Sequence, residues 1–262
     1  MTDIVFIAPN NHSVTYQGLA SAGLSAVEPP TWALLLSESM RSKGYNVAII
    51  DTLAEGLSDA ELEVRVQKLQ CRILCFVVYG QNVNAGTTSM GGAVRQAAHL
   101  KSKMPNNLIV LIGSHVQALP CETLEKEPSL DIVVLNEGVK AIEALLALES
   151  FERESLEAVP GIMFRSDGAV VSGLAPLSIN QEALECELPG YAWDLLPYKS
   201  QPLDLYRSPT WHADYIDEFR TPYAAIQTSI GCQFKCGFCM INLINKNDLS
   251  QQSTASDYAG MR

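Results

Sequence analysis

An α/β fold built on a doubly wound, five-stranded parallel sheet is predicted for the first half of the chain, and three observations predict it. Five short runs are apolar at every position rather than at every second one, the pattern of strands covered on both faces. Segments of helical period lie between consecutive runs. Parallel neighbours need long right-handed crossovers, and those helices supply them.

The apolar runs are residues 4–8 (IVFIA), 47–50 (VAII), 73–78 (ILCFVV), 108–112 (LIVLI) and 132–135 (IVVL). Between the first two, PPTWALLLSESMRSKG carries Trp32, Leu35, Leu36 and Met40 on one stripe and ends at Gly44, a residue suited to a left-handed helix cap. SDAELEVRVQKLQ opens on Ser58 with Glu61 three positions later, a capping box. TSMGGAVRQAAHLKSKMP, the short CETLEKEP and VKAIEALLALES supply the remaining helices. Together they define a first domain over residues 1–150.

The texture then changes. GIMFRSDGAVVSG reads as two short strands around Ser166-Asp167-Gly168, a hairpin. Residues 175–222 carry Pro176, Pro189, Pro197, Pro202, Pro209 and Pro222 among Tyr191, Trp193, Tyr198, Tyr206, Trp211 and Tyr215. This stretch is too aromatic for a free linker and too broken by proline for regular elements, so residues 151–222 are expected to be a connecting segment wrapped over the domain surface. A strand pattern resumes at residues 223–229 (YAAIQTS) and runs into three cysteines. Residues 223–262 are assigned to a third, incomplete unit.

Composition excludes several classes. The 262 residues are 47% hydrophobic and carry a net charge of −11, with no basic patch to meet a nucleic-acid backbone or an anionic membrane. The N-terminus lacks a basic flank and a cleavage site, and no apolar run is long enough to span a bilayer, so the chain reads as cytoplasmic. Seven cysteines without a signal peptide point to reduced thiols rather than a disulfide framework. Cys71 and Cys75 lie in a buried strand pattern and Cys121 and Cys186 stand alone, leaving Cys232, Cys236 and Cys239 as the chemical cluster.

An open parallel sheet binds ligands at the carboxyl ends of its strands, near the switch point in strand order. The candidate loops are residues 9–13, 52–54, 79–82, 113–115 and 136–138. The first, APNNHSVTYQG, has no glycine before Gly18, which argues against a dinucleotide fingerprint. The third strand ends in Val78-Tyr79-Gly80, without the aspartate of a receiver domain. The loops offer glycine, amide and hydroxyl groups, suited to a large and mostly uncharged ligand rich in amides.

EPPTWALLLSESMRSKGYNVAIIDTLAEGLS, then GSHVQALP, then LDIVVLNEGVKAIEALLAL resemble the cobalamin-binding domain that precedes the catalytic domain of cobalamin-dependent radical S-adenosylmethionine enzymes, across residues 1–150. The resemblance implies a flavodoxin-like strand order and a corrinoid pocket lined by the loop after the fourth strand, here Gly113, Ser114 and His115. The loop after the fifth, Gly-Glu-Gly-Glu in that family, reads Asn136-Glu137-Gly138-Val139 here and contributes Glu137 and Gly138. Asn10, Asn11, Tyr79 and Gly80 complete the candidate cobalamin contacts. Corrinoid proteins that ligate cobalt carry Asp-x-His-x-x-Gly after the first strand; this chain has Asn10-Asn11-His12-Ser13-Val14-Thr15, which leaves open whether His12 or no residue ligates cobalt.

TSIGCQFKCGFCM sets the cysteines as C-x3-C-x2-C. Three thiolates hold three corners of a cubane iron–sulfur cluster and leave one iron open, the arrangement of a reactive rather than a structural site. A tetrahedral zinc site needs a fourth ligand, and the following MINLINKND has no Cys or His. The spacing, with Phe238 before the last cysteine, is similar to the radical S-adenosylmethionine signature. That resemblance implies a 4Fe-4S cluster on Cys232, Cys236 and Cys239, S-adenosylmethionine chelated at the open iron, and Phe238 beside its adenine. It implies in turn a small-molecule substrate and an electron donor such as flavodoxin or ferredoxin. The activity implied is methyl transfer, or a radical step of the anaerobic magnesium-protoporphyrin ester cyclase kind; no catalytic side chain is assigned. A β/α barrel needs about 200 residues, whereas 23 follow Cys239, so only the first βα unit of a partial barrel is expected, in a fragment or a natural truncation. A corrinoid-binding module without turnover is the alternative.

Overall fold

The structure is a computed structural model that describes residues 2–11, 27–79, 86–199, 206, 224–227, 230–231, 234, 236–239 and 241. Its centre is one mixed sheet of seven strands: β1 (Ile4–Ala8), β2 (Val47–Asp51), β3 (Ile73–Val78), β4 (Leu108–Gly113), β5 (Ile132–Val134), β6 (Ile162–Ser166) and β7 (Ala169–Ser172). Their order is β2-β1-β3-β4-β5-β6-β7. The first five are parallel, while β6 runs antiparallel to both β5 and β7.

The helices cover both faces, as continuous apolar strands require. Every residue of β1, β3, β4 and β5 is buried, and alternate residues serve opposite layers. Ile4 and Phe6 pack with α1 (Thr31–Ser42) and α6 (Val139–Ala147); Val5 and Ile7 share the other layer with α2 (Asp59–Leu69) and α3 (Gly86–Lys103). Two short helices, α4 (Ser114–Ala118) and α5 (Pro120–Lys126), complete that second layer through Val116 and Leu124. Ser58 caps α2 as expected: its hydroxyl accepts from Glu61 N at 3.3 Å, and the Glu61 carboxylate accepts from Ser58 N at 2.8 Å.

Two expectations are corrected. The sheet has seven strands, not five, because the hairpin expected in the connecting segment extends it: Val134 pairs with Ile162 and Ile132 with Phe164. The reason is the edge left by β5, which would otherwise expose a row of unpaired backbone groups beside a buried strand. Asp167 at φ 51° and Gly168 at φ 79° form the two-residue turn, both left-handed as a type I′ turn requires. The strand expected over residues 223–229 is not formed at its described positions, 224–227. Most of the rest of the expected barrel unit lies outside the described residues.

After β7 the chain crosses the α1–α6 face. Leu184 of α7 (Leu184–Glu187), Leu188, Ala192, Leu196 and Tyr206 are buried in the same core layer as α1 and α6. Lys43 bridges Glu143 and Glu187 at 2.6 Å each, and Arg41 pairs with Asp194 at 2.6 Å, which fastens this stretch to α1 and α6.

Candidate functional site

The carboxyl ends of the parallel strands form a rim. Its switch point falls at β1, whose neighbours β2 and β3 lie on opposite sides. Directly beyond β1, the Asn10 side chain donates to Thr52 O at 3.4 Å and that of Asn11 to Ser89 Oγ at 2.9 Å. Thr52 donates to Ala8 O at 2.8 Å, and the buried Gln96 amide donates to the Thr52 hydroxyl at 3.1 Å. The sequence placed Asn10, Asn11 and the loop from Thr52 at this rim; Gln96, inside a helix of ordinary period, carried no signal.

At β4, Gly113 lies so close to β3 that a Cβ there would come within 2.3 Å of Val78 O. Packing within the protein therefore already accounts for this glycine. Ser114 is buried, and His115 Nδ1 lies 3.1 Å from Thr87 Oγ1. His115 also borders a groove of about 490 Å3 between α3 and α5, floored by Met90, Val94 and Leu119.

Among the described residues, the loop after β5 is held by several hydrogen bonds. Asn136 and Gly138 both adopt left-handed backbone, φ 55° and 80°. Asn136 O accepts from the Tyr79 phenol at 3.1 Å and the Gln117 amide at 3.0 Å, and Glu137 O accepts from the Trp32 indole at 3.1 Å. Trp32 and Tyr79 touch, ring centroids 5.5 Å apart. The Asn136 side chain donates to Ser178 Oγ at 3.1 Å. Glu137 Oε2 is buried with no partner among the described residues, and burial pushes its carboxyl above the usual range. An orphaned polar atom at a ligand rim is what an incoming amide would satisfy, so the donor set fits an amide-rich ligand such as a corrinoid. Trp32 and Gln117 were missed as site residues. Trp32 sits on the core stripe of α1, and Gln117 is recognisable only from its place in GSHVQALP.

At β2 the rim ends in Asp51, buried at 2% exposure. Its carboxylate accepts from Ala54 N at 3.0 Å and from the Tyr206 phenol at 2.9 Å. Burial raises its pKa to about 6 against those two hydrogen bonds, which favour the charged form. Neither residue was a sequence candidate.

In the cysteine segment, Gly231 is left-handed at φ 83°, and Cys239 N donates to Cys236 O at 3.0 Å, closing a turn that brings these two cysteines together. Cys236 is exposed and Cys239 half-buried. Phe238 is 82% exposed. Cys232, Gly80 and His12 lie outside the described residues. Among the described residues no three His, Cys, Asp or Glu side chains are grouped to hold a metal ion. None of the described helices is long and apolar enough to cross a membrane.

Residues 21–146 match the family of B12 binding domains, a stretch that includes β2 to β5 and the loops that follow them. The chain is also similar, at 28% identity over 240 residues, to an uncharacterized methyltransferase of Pyrococcus horikoshii, an alignment covering 92% of this chain and 45% of the relative. It is 24% identical over 241 residues to the anaerobic magnesium-protoporphyrin IX monomethyl ester cyclase of Cereibacter sphaeroides, covering 90% and 34%. A solved structure of the cobalamin-dependent S-adenosylmethionine radical enzyme OxsB, with aqua-cobalamin and S-adenosylmethionine bound, matches the fold with a TM-score of 0.55 at 16% identity, over 77% of this chain and 25% of that one. The resemblance drawn from the sequence therefore holds. The chain spans less than half the length of these relatives.

Proposed function

We propose that this chain is the corrinoid-binding and cluster-bearing part of a cobalamin- and S-adenosylmethionine-dependent radical enzyme. The reaction is methyl transfer, or a radical cyclisation or rearrangement, on an unactivated carbon of a small-molecule substrate in the cytoplasm. One observation carries this reading: a B12 binding domain over residues 21–146 is followed on the same chain by Cys232, Cys236 and Cys239 in C-x3-C-x2-C spacing.

The chain's own residues have definite tasks in this reading. Trp32, Tyr79 and Gln117 hold the loop of residues 136–138 rigid, so that its conformation precedes ligand binding. Asn10 and Asn11 offer amides at the switch point, and Glu137, whose carboxyl burial pushes above its usual range, offers its unpartnered Oε2 to a ligand amide. The thiolates of Cys232, Cys236 and Cys239 would hold a 4Fe-4S cluster that binds S-adenosylmethionine, and Phe238 would be the aromatic contact for its adenine. When bound, the cluster supplies a low-potential electron, received from a flavodoxin or ferredoxin, and the corrinoid supplies a methyl carrier.

Anaerobic reconstitution tests it. The chain should take up iron and sulfide with charge-transfer absorption, and the triple variant Cys232→Ala, Cys236→Ala, Cys239→Ala should lose both; equal iron content in the variant sinks the cluster assignment. Hydroxocobalamin should change its spectrum on the same protein. A corrinoid-binding module without turnover is the second reading, supported by the match to B12 binding domains over residues 21–146. Detection of 5′-deoxyadenosine from the reconstituted chain rejects it.

A further inference from the structure

Four aromatic side chains run in file through the stretch that crosses the α1–α6 face. Tyr191 stacks on Trp193 with centroids 5.3 Å apart, Trp193 meets Tyr198 at 6.1 Å, and Tyr198 meets Tyr206 at 5.2 Å. Every step is direct ring contact, close enough for an electron to pass from one π system to the next. The two ends of the file are specialised. At one end Tyr206, 3% exposed, donates its phenol proton to Asp51 Oδ2 at 2.9 Å. At the other, the Tyr191 phenol accepts from Gln227 N at 2.6 Å and donates to Gln227 O at 2.9 Å. Gln227 precedes Cys232 by five residues.

Packing alone does not call for this arrangement. Burying an ionised carboxylate is costly, and a backbone carbonyl would satisfy a buried phenol as well. A carboxylate at hydrogen-bond distance also adds a base, which a phenol can use when it is oxidised, because the oxidised phenol is a strong acid. We propose that Tyr206 and Asp51 form a proton-coupled redox site, connected through Tyr198, Trp193 and Tyr191 to the segment that carries the cysteines.

The step balances as follows. One electron leaves the Tyr206 ring along the file to a one-electron oxidant of the organic-radical or oxidised-metal class. The Tyr206 O–H bond breaks, and its proton crosses the 2.9 Å hydrogen bond to form an O–H bond on Asp51 Oδ2. A neutral phenoxyl radical remains beside a neutral carboxylic acid, so the buried pair ends without net charge. Reduction returns the electron to Tyr206 and the proton from Asp51. A carboxyl titrating near 6 is ionised at neutral pH and more basic than a surface carboxylate, which suits the acceptor role. In the intact protein the site drains oxidising equivalents away from the cysteine end.

The test needs neither cobalamin nor a cluster, so its failure is separate from failure of the proposed function. The full chain without cofactors is oxidised by flash-generated tris(bipyridine)ruthenium(III) and followed by transient absorption and high-field EPR. The expected product is a long-lived phenoxyl radical with the reduced gx of a hydrogen-bonded tyrosyl. Tyr206→Phe, which keeps the ring, should abolish that signal, Asp51→Asn should slow its formation and remove its solvent deuterium isotope effect, and Trp193→Leu should slow it by breaking the file. Thermal melts establish that each variant is folded, and Trp193, half-buried at the domain surface, gives the variant least exposed to misfolding. An unchanged long-lived radical in Tyr206→Phe places the oxidation on other tyrosines and overturns the proposal, as does a wild-type formation rate in Asp51→Asn or in Trp193→Leu.

Discussion

Asp51 shows what the rim costs at the level of a single residue. Its carboxyl titrates near 6 in the fold and near 3.8 as an ordinary aspartate. Between those values the folded chain holds the proton that the unfolded chain has released, so stability falls as pH rises through the window. The penalty reaches about 3 kcal/mol once both states are ionised. Glu28, which burial raises to about 7, and Glu137, raised for the same reason, carry the same sign. Denaturant midpoints across this window should therefore show a wild-type deficit, relative to Asp51→Asn, that grows with pH; a difference independent of pH contradicts the assignment. Gly113 is constrained by space instead. Gly113→Ala drives a Cβ to within 2.3 Å of the β3 backbone at Val78 O, and rigid backbone cannot yield as a side chain does. The expected loss is about 1–3 kcal/mol, read as a lower urea midpoint with an unchanged slope.

At the scale of elements, the legible features were those whose signal is local. Apolar runs at every position marked the parallel strands, and Ser58 with Glu61 marked the start of α2. Ser58→Ala should remove the cap and lower stability by about 1 kcal/mol, whereas Ser58→Asp should restore most of it; urea unfolding of the pair distinguishes a cap from a generic surface change. The five residues of α4 are too few to display a period, so Gly113–His115 read as a loop although Ser114 opens a helix. The hairpin was visible in Ser166-Asp167-Gly168, but its attachment to β5 was not, because the partner strand lies some thirty residues upstream. The candidate site divides in the same way. Its loops follow from the rule for open parallel sheets and its cysteines from their spacing. Its supports, Trp32, Gln117, Gln96 and the Asp51–Tyr206 pair, depend on contacts between distant segments and leave no pattern in any one of them.

On the scale of the whole molecule, the B12 binding domain match ends at residue 146, which invites a cut near residue 150. The packing argues against that cut. It strips β6 from β5 and leaves an unpaired edge beside a fully buried strand. It also removes Leu184, Leu188 and Leu196 from the α1–α6 layer, each worth about 2 kcal/mol when fully buried. The sum is comparable with the entire stability of an ordinary domain, about 5–15 kcal/mol. The ion pairs of Lys43 and Lys140 with Glu187 are lost as well, though partly exposed pairs add less than the leucines do. A chain of residues 1–150 should consequently aggregate or melt without cooperativity, while residues 1–222, which retain the crossing stretch, should melt in one cooperative transition near the full-length midpoint. Calorimetry with size-exclusion chromatography on the two truncations decides it: a monomeric 1–150 chain melting at the full-length midpoint means that the crossing stretch is ornamental to the fold and that the five parallel strands stand alone.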